Sequence, residues 1–188
     1  MTNEIFKELE FKIRDILDRN NFVNQKIDLS TMHTNKNVPI QDAFRIRVMS
    51  PPLRFSVEIV KPIPLKDFLF IAGRINISPD HLKSINNMNL NQRLDLFDEI
   101  KIELTRGRPN FKFIEANGAI IGIESMVPII IPGNEEQLAK ALFDGMDEVN
   151  KAFFLVIVLI QKFLRKAGFQ TGPESGTTNL EEGKSFYQ

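Results

Sequence analysis

The sequence predicts an α+β fold: a largely antiparallel sheet of about five strands, in the order α-β-β-β-α-β-β-α, closed by a long C-terminal helix. Three observations predict it. Strand-like segments follow one another between residues 43 and 77 with no helical segment between them. Asn117-Gly118 joins two further apolar segments, and this dipeptide suits a two-residue hairpin turn because both positions need positive φ. From Leu138 to Ala167, apolar residues recur at helical spacing.

Taken in order, residues 3–20 read as an amphipathic helix with Ile5, Leu9, Ile13, Ile16 and Leu17 on one face. Thr2 or Asn3 caps it, and Asn20-Asn21 stops it. Residues 24–40 are polar and loop-like, with a short strand near Ile27 to Leu29. AFRIRVM at 43–49 alternates strictly, so Phe44, Ile46 and Val48 oppose Arg45 and Arg47. Ser50-Pro51-Pro52 turns the chain, and LRFSVEIV at 53–60 alternates again until Pro62 and Pro64 break the pattern. DFLFIAGRINI at 67–77 is more apolar and reads as a central strand, with Gly73 marking a bulge or a close approach.

Ser78-Pro79-Asp80 has the form of a helix start, and a second start lies near Asn89. The helix from Asn89 runs to about Arg106, with Leu90, Leu94, Phe97, Ile100 and Leu104 as its apolar stripe. Residues 111–116 and 119–131 form the hairpin strands, the second with Pro128 near its end. Asn134 caps the last helix, Glu135 and Glu136 suit its first turn, and Gly168 ends it. Residues 1–168 thus form one domain, and 169–188 form a polar tail whose apolar content is concentrated in Phe186 and Tyr187.

The stripe Leu138, Leu142, Met146, Val149, Phe153, Val156, Ile160, Phe163 accounts for only part of AFFLVIVLI, residues 152–160. The rest of the circumference is apolar too, and a helix apolar all round leaves no face for water. Lipid does not fit: a spanning helix needs about 20 apolar residues, and Lys151, Lys162, Arg165 and Lys166 bound this run. Either the sheet and the first helix cover it, or part of it meets another chain. The second reading makes Phe153, Phe154, Ile157 and Val158 interface residues and the protein a homodimer.

Composition narrows the function. The 188 residues are 43% hydrophobic and 26% charged, with 24 basic and 24 acidic side chains, a balance that argues against a protein built to grip nucleic acid. There is no cysteine, so thiolate chemistry and disulfides are excluded and a cytoplasmic location is expected. His33 and His81 lack metal-ligand spacing, and no phosphate loop, dinucleotide fingerprint or nucleophile elbow is present. No cofactor and no metal are expected.

The carboxylates Glu58, Asp95, Asp98, Glu99, Glu103, Glu115 and Glu124 read mainly as solvated faces, with strand-borne Glu58 and Glu124 the more rigidly held. The most organised polar feature is basic: Arg45, Arg47 and Arg54 on early strands, with Arg74, and with Arg106, Arg108 and Lys112 near the hairpin. Arg45, Arg47, Arg54 and Arg108 are candidates for holding an anion or an acidic peptide; pairing with strand carboxylates such as Glu58 is the competing use.

The element order over residues 3–167 resembles the type III secretion chaperones and small archaeal families of unknown function with the same fold. The resemblance implies a dimer that binds a segment of another protein without a catalytic centre. Those chaperones tend to be acidic, whereas this chain is neutral. The sequence therefore points to a small cytoplasmic protein-binding module. The alternative is an enzyme that takes an acidic or phosphorylated small molecule through the Arg cluster.

Overall fold

Alternating apolar residues in DAFRIRVM and its neighbours build the sheet, and four helices bury its apolar side. The structure, a computed structural model, describes residues 2–29, 41–49, 55–107 and 109–169. Its elements are α1 (Thr2–Arg19), β1 (Val23–Lys26), β2 (Asp42–Met49), β3 (Val57–Pro62), β4 (Phe68–Asn76), α2 (Pro79–Asn86), α3 (Leu90–Thr105), β5 (Asn110–Ala116), β6 (Ala119–Ile130) and α4 (Glu135–Lys166). All strands pair antiparallel in one sheet, ordered β1-β2-β3-β4-β6-β5. The α+β architecture with a long C-terminal helix is as the sequence predicts.

Local chemistry sets the boundaries. Asn21, at φ 60°, ends the first helix. Ser78 Oγ accepts from His81 N at 3.3 Å, ahead of Pro79 in the first helical position. Asn89 and Gln92 exchange reciprocal bonds, Gln92 N to Asn89 Oδ1 at 2.9 Å and Asn89 N to Gln92 Oε1 at 3.2 Å, a full capping box. Asn134 Oδ1 accepts from Gln137 N at 2.8 Å at the start of α4. Asn117 and Gly118 take φ of 52° and 75°, the turn their sequence demands.

Details differ from the sequence expectation. The short strand is Val23–Lys26 rather than Ile27–Leu29, and it adds a sixth member to the sheet. β3 starts at Val57 rather than Leu53 and runs through Pro62, where the sequence predicts a break. The two helix starts read at Ser78 and Asn89 open two separate helices between β4 and β5, where the overall element order counts one. On α3 the buried row is Leu96, Ile100 and Leu104, while Leu90 and Leu94 are exposed. The apolar residues of this helix are spread round its circumference, so a stripe chosen from spacing alone picked the wrong starting residue.

One sheet face is the core. Phe44, Ile46, Val57, Ile59, Leu69, Ile71, Ile123, Val127 and Ile129 lie there with the buried faces of the helices. α4 crosses it closely: a β-carbon on Gly145 would stand 3.0 Å from side-chain atoms of both Ile71 and Ile129. α1 flanks one side of α4, where Phe22 just beyond it stacks on Phe143 at 5.4 Å between ring centroids and Arg19 pairs with Glu135. α3 flanks another part, with Glu99 bound to Lys162 at 2.8 Å and Phe97 edge-on to Phe113 of β5 at 5.7 Å.

β6 outruns its partner. β5 pairs with it only as far as Met126, while β4 pairs with it to Ile130. Ile131 N donates to Asp67 O at 2.8 Å, so odd-numbered residues here turn their backbone groups towards β4 and Pro128 faces the other side. Pro128 has no N–H to give, so the β5 ladder stops short of it and the free edge is blunted.

Candidate functional site

The face of the sheet opposite the core carries Arg45, Arg47, Glu58, Arg74, Lys112 and Glu124, and the register brings them together in rows. Arg47 on β2 stands directly across from Glu58 on β3. Arg45 is 1% exposed. Its Nε donates to Asp42 Oδ2 at 2.6 Å and its Nη1 to Glu58 Oε2 at 3.4 Å. Arg47 Nη2 reaches Glu58 Oε1 at 3.4 Å. Two guanidinium groups and two carboxylates thus form a buried, neutral cluster, as buried charge must. Burial pushes the Asp42 carboxyl above its ordinary pKa, and Arg45 pulls the other way. Asp42 Oδ1 and Arg47 Nε are buried and have no hydrogen-bond partner among the described residues.

A second charge row crosses β4, β6 and β5. Glu124 lies opposite both Arg74 and Lys112 in register, and Lys112 Nζ is 2.7 Å from its Oε2. Arg74 Nε also donates to Asn76 Oδ1 at 3.3 Å. Arg106 pairs with Glu103 at the end of α3. The expected Arg group is therefore split over two rows and α3, and Arg45 and Arg47 already face carboxylates. Arg54 and Arg108 lie outside the described residues, as do His33 and all of the tail beyond Phe169.

Of the other candidates, Glu99 is tied to Lys162, whereas Asp95, Asp98 and Glu115 stand exposed. His81 is half-buried in the first turn of α2, where burial lowers its pKa and the neighbouring Asp80 opposes that. Among the described residues, no three His, Asp or Glu side chains come together to hold a metal. No described helix is long and apolar enough to cross a membrane.

The four expected interface residues on α4 separate. Phe153 is fully buried and belongs to the core, edge-on to Phe55 at 5.6 Å. Ile157 is half-buried. Phe154 and Val158 stay 41% and 40% exposed, one turn apart on the ridge facing away from the sheet.

A second apolar surface escaped the sequence reading. Phe68 on β4 and Ile130 on β6 are paired residues, 36% and 68% exposed, on the face away from the helices. Phe70 and the exposed Pro128 form the next pair on that face, and Ile63 and Leu65 in the β3–β4 connection are exposed as well. The signal was present in FLFIA and VPIII: these strands are apolar at both parities, so each must show apolar side chains on both faces.

Lys61 is the other residue the sequence reading passed over. It lies on the core side of β3, opposite Phe44, and is 1% exposed. Its Nζ donates to the carbonyls of Pro62 at 3.2 Å and Leu65 at 2.5 Å, and sits 5.2 Å from the centre of the Phe6 ring. Burial lowers its pKa, and Asp67 works against that shift.

With the geometry in place, comparison with known proteins is informative about fold. The chain is similar to a crystal structure of an uncharacterized protein from Methanothermobacter thermautotrophicus, with TM-score 0.64, 18% identity, and coverage of 86% of this chain and 98% of that one. At that identity the likeness is one of fold. It also aligns with YbjN from E. coli at TM-score 0.44 and 9% identity, covering 74% of this chain and 84% of that one. No curated protein matches it. The family model described as uncharacterized conserved protein, DUF2299, matches residues 12–160, from the middle of α1 to near the end of α4, and the chain belongs to that family.

Proposed function

We propose that this protein is a non-catalytic protein-binding module, chaperone- or adaptor-like, that works in the cytoplasm as a homodimer and holds a segment of another protein. The observation that carries the reading is the pair Phe68–Ile130, exposed side by side on a sheet face that no described helix covers. Exposed apolar groups gathered on one face mark an interaction surface. Two facts support the non-catalytic part. Arg45, Arg47 and Lys112 pair with carboxylates within the sheet, and Asp42, Glu58 and Glu124 are used in the same way. The enzyme alternative needs Arg45 and Arg47 to meet an anion, and they are already neutralised.

The test is affinity capture from the source organism with tagged wild type and an Ile130→Asp variant. The reading expects a protein retained in stoichiometric amount by the wild type and lost from the variant, with the variant's circular dichroism unchanged. Equal recovery from both, or recovery of nothing from the wild type, overturns it.

A further inference from the structure

Resting on the protein-binding reading above, we propose that the segment held is an amphipathic helix of another protein whose apolar stripe ends in an acidic residue. Four successive pairs of β4 and β6 lie on the face away from the helices: Phe68–Ile130, Phe70–Pro128, Ala72–Met126 and Arg74–Glu124. The first three are apolar and the fourth is charged. Phe68, Pro128 and Ile130 are exposed, and Phe70, Met126 and Arg74 are half-buried. They form an apolar strip that runs along the two strands and ends at a charged row.

The charge at the end of the strip names the partner's chemistry. Glu124 is taken by Lys112 of β5, at 2.7 Å. Arg74, on the other side of Glu124, donates through Nε to Asn76 Oδ1 and forms no ion pair with a described residue. Arg74, Glu124 and Lys112 together sum to +1. The neighbouring charges do not offset this. The cluster of Asp42, Arg45, Arg47 and Glu58 is neutral in itself. Lys66 and Asp67 cancel at the apolar end. Glu115 pairs in register with Ile120, four residues along β6 from Glu124, or about 14 Å. One cation is left uncompensated at the end of the strip, and a carboxylate on the partner compensates it.

The sheet selects a helix. β4 lies between β3 and β6, so this face presents side chains rather than free backbone groups. An extended segment laid on it would leave its own N–H and C=O groups unpaired against apolar surface, whereas a helix satisfies them internally. Successive pairs stand about 7 Å apart along the strands. Apolar residues at i, i+4 and i+7 of a helix follow the three apolar pairs, and a Glu at i+11 then comes within side-chain reach of Arg74. The described helices of this chain do not present that row outward. On α3, Leu90, Leu94 and Phe97 have the spacing, but Phe97 lies edge-on to Phe113, and Lys101 stands where the acid is needed. The occupant is therefore a different protein.

The test is fluorescence anisotropy on the full chain with two labelled Ala/Gln peptides of about 16 residues. Both carry Leu at i, i+4 and i+7; one has Glu at i+11 and the other Lys. The Glu peptide is expected to bind the wild type about tenfold or more tightly than the Lys peptide. Arg74→Gln is expected to abolish that preference without weakening the Lys peptide. Ile130→Asp is expected to weaken both. Equal binding of the two peptides by the wild type, or a preference that survives Arg74→Gln, overturns the proposal. If neither peptide binds, the proposal falls alone when affinity capture still retains a partner that Ile130→Asp loses. It falls together with the protein-binding reading when capture retains nothing.

Discussion

Phe153 of α4 occupies the space a side chain on Gly73 of β4 would need: a β-carbon on Gly73 would lie 2.7 Å from Phe153 Cε2 and 3.2 Å from Val149 Cγ1. This is how the long helix comes down onto the middle of the sheet. Gly73→Ala must push a fully buried ring that is also held edge-on by Phe55. The expected cost is about 1–3 kcal/mol in urea denaturation. Phe153→Leu alone is also destabilising, but Gly73→Ala added to it costs less than in the wild type, because the ring is gone. Additive costs would contradict the contact.

Arg45 is expected to be the most sensitive charged position. Arg45→Met leaves Asp42 and Glu58 buried with their shared cation removed, a loss of about 3–5 kcal/mol. The pH dependence follows from the raised Asp42 pKa. Its native pKa lies above the unfolded value of 3.8, so the folded state holds the proton more tightly. The cost of the buried charge is therefore fully present above the native pKa and is relieved as pH falls towards 3.8. Asp42→Asn should lack that part of the pH profile. An unchanged profile in stability measured from acid to neutral pH would contradict the assignment.

Lys61 gives the opposite end of the pH scale. Its native pKa is lowered from 10.5, so between the native value and 10.5 the unfolded chain binds more protons than the folded one. Stability from this group thus rises with pH through that window. Lys61→Met removes the slope. Chemical denaturation of both proteins at several pH values below 10.5 decides it, and parallel profiles would show that burial does not lower the Lys61 pKa.

Much of this fold is written locally in the chain. Ser78, Asn89 and Asn134 cap the helices they were expected to cap, and Asn117-Gly118 makes its turn, because a short polar side chain or a positive φ acts within four residues. What was missed depends on tertiary partners. Val23–Lys26 is a polar strand with no alternation to betray it; it forms because it pairs with β2 and because Lys26 reaches Glu10 of α1 at 2.9 Å. Pro62 is tolerated near an end of the β2–β3 ladder, opposite Asp42, where an ordinary breaker rule would end the strand.

The candidate site was half legible. Alternation placed Arg45 and Arg47 on the side away from the core, and the register then gave them Glu58, the pairing that competed with anion binding from the start. Phe153 and Phe154 are adjacent in sequence, yet one is core and the other exposed. Only the position of the sheet under α4 separates them. Phe68 and Ile130 meet because β4 and β6 are neighbours, a pairing between strands separated by two helices and β5.

The central claim is that the exposed apolar surface of this protein is used for association, and the mass of the wild type in solution tests it most directly. Light scattering across a concentration series is predicted to give twice the chain mass of 21.6 kDa, falling towards one chain mass on dilution. A mass of 21.6 kDa at every concentration would contradict the account, and Phe154 and Val158 would then be ordinary surface residues of a monomer.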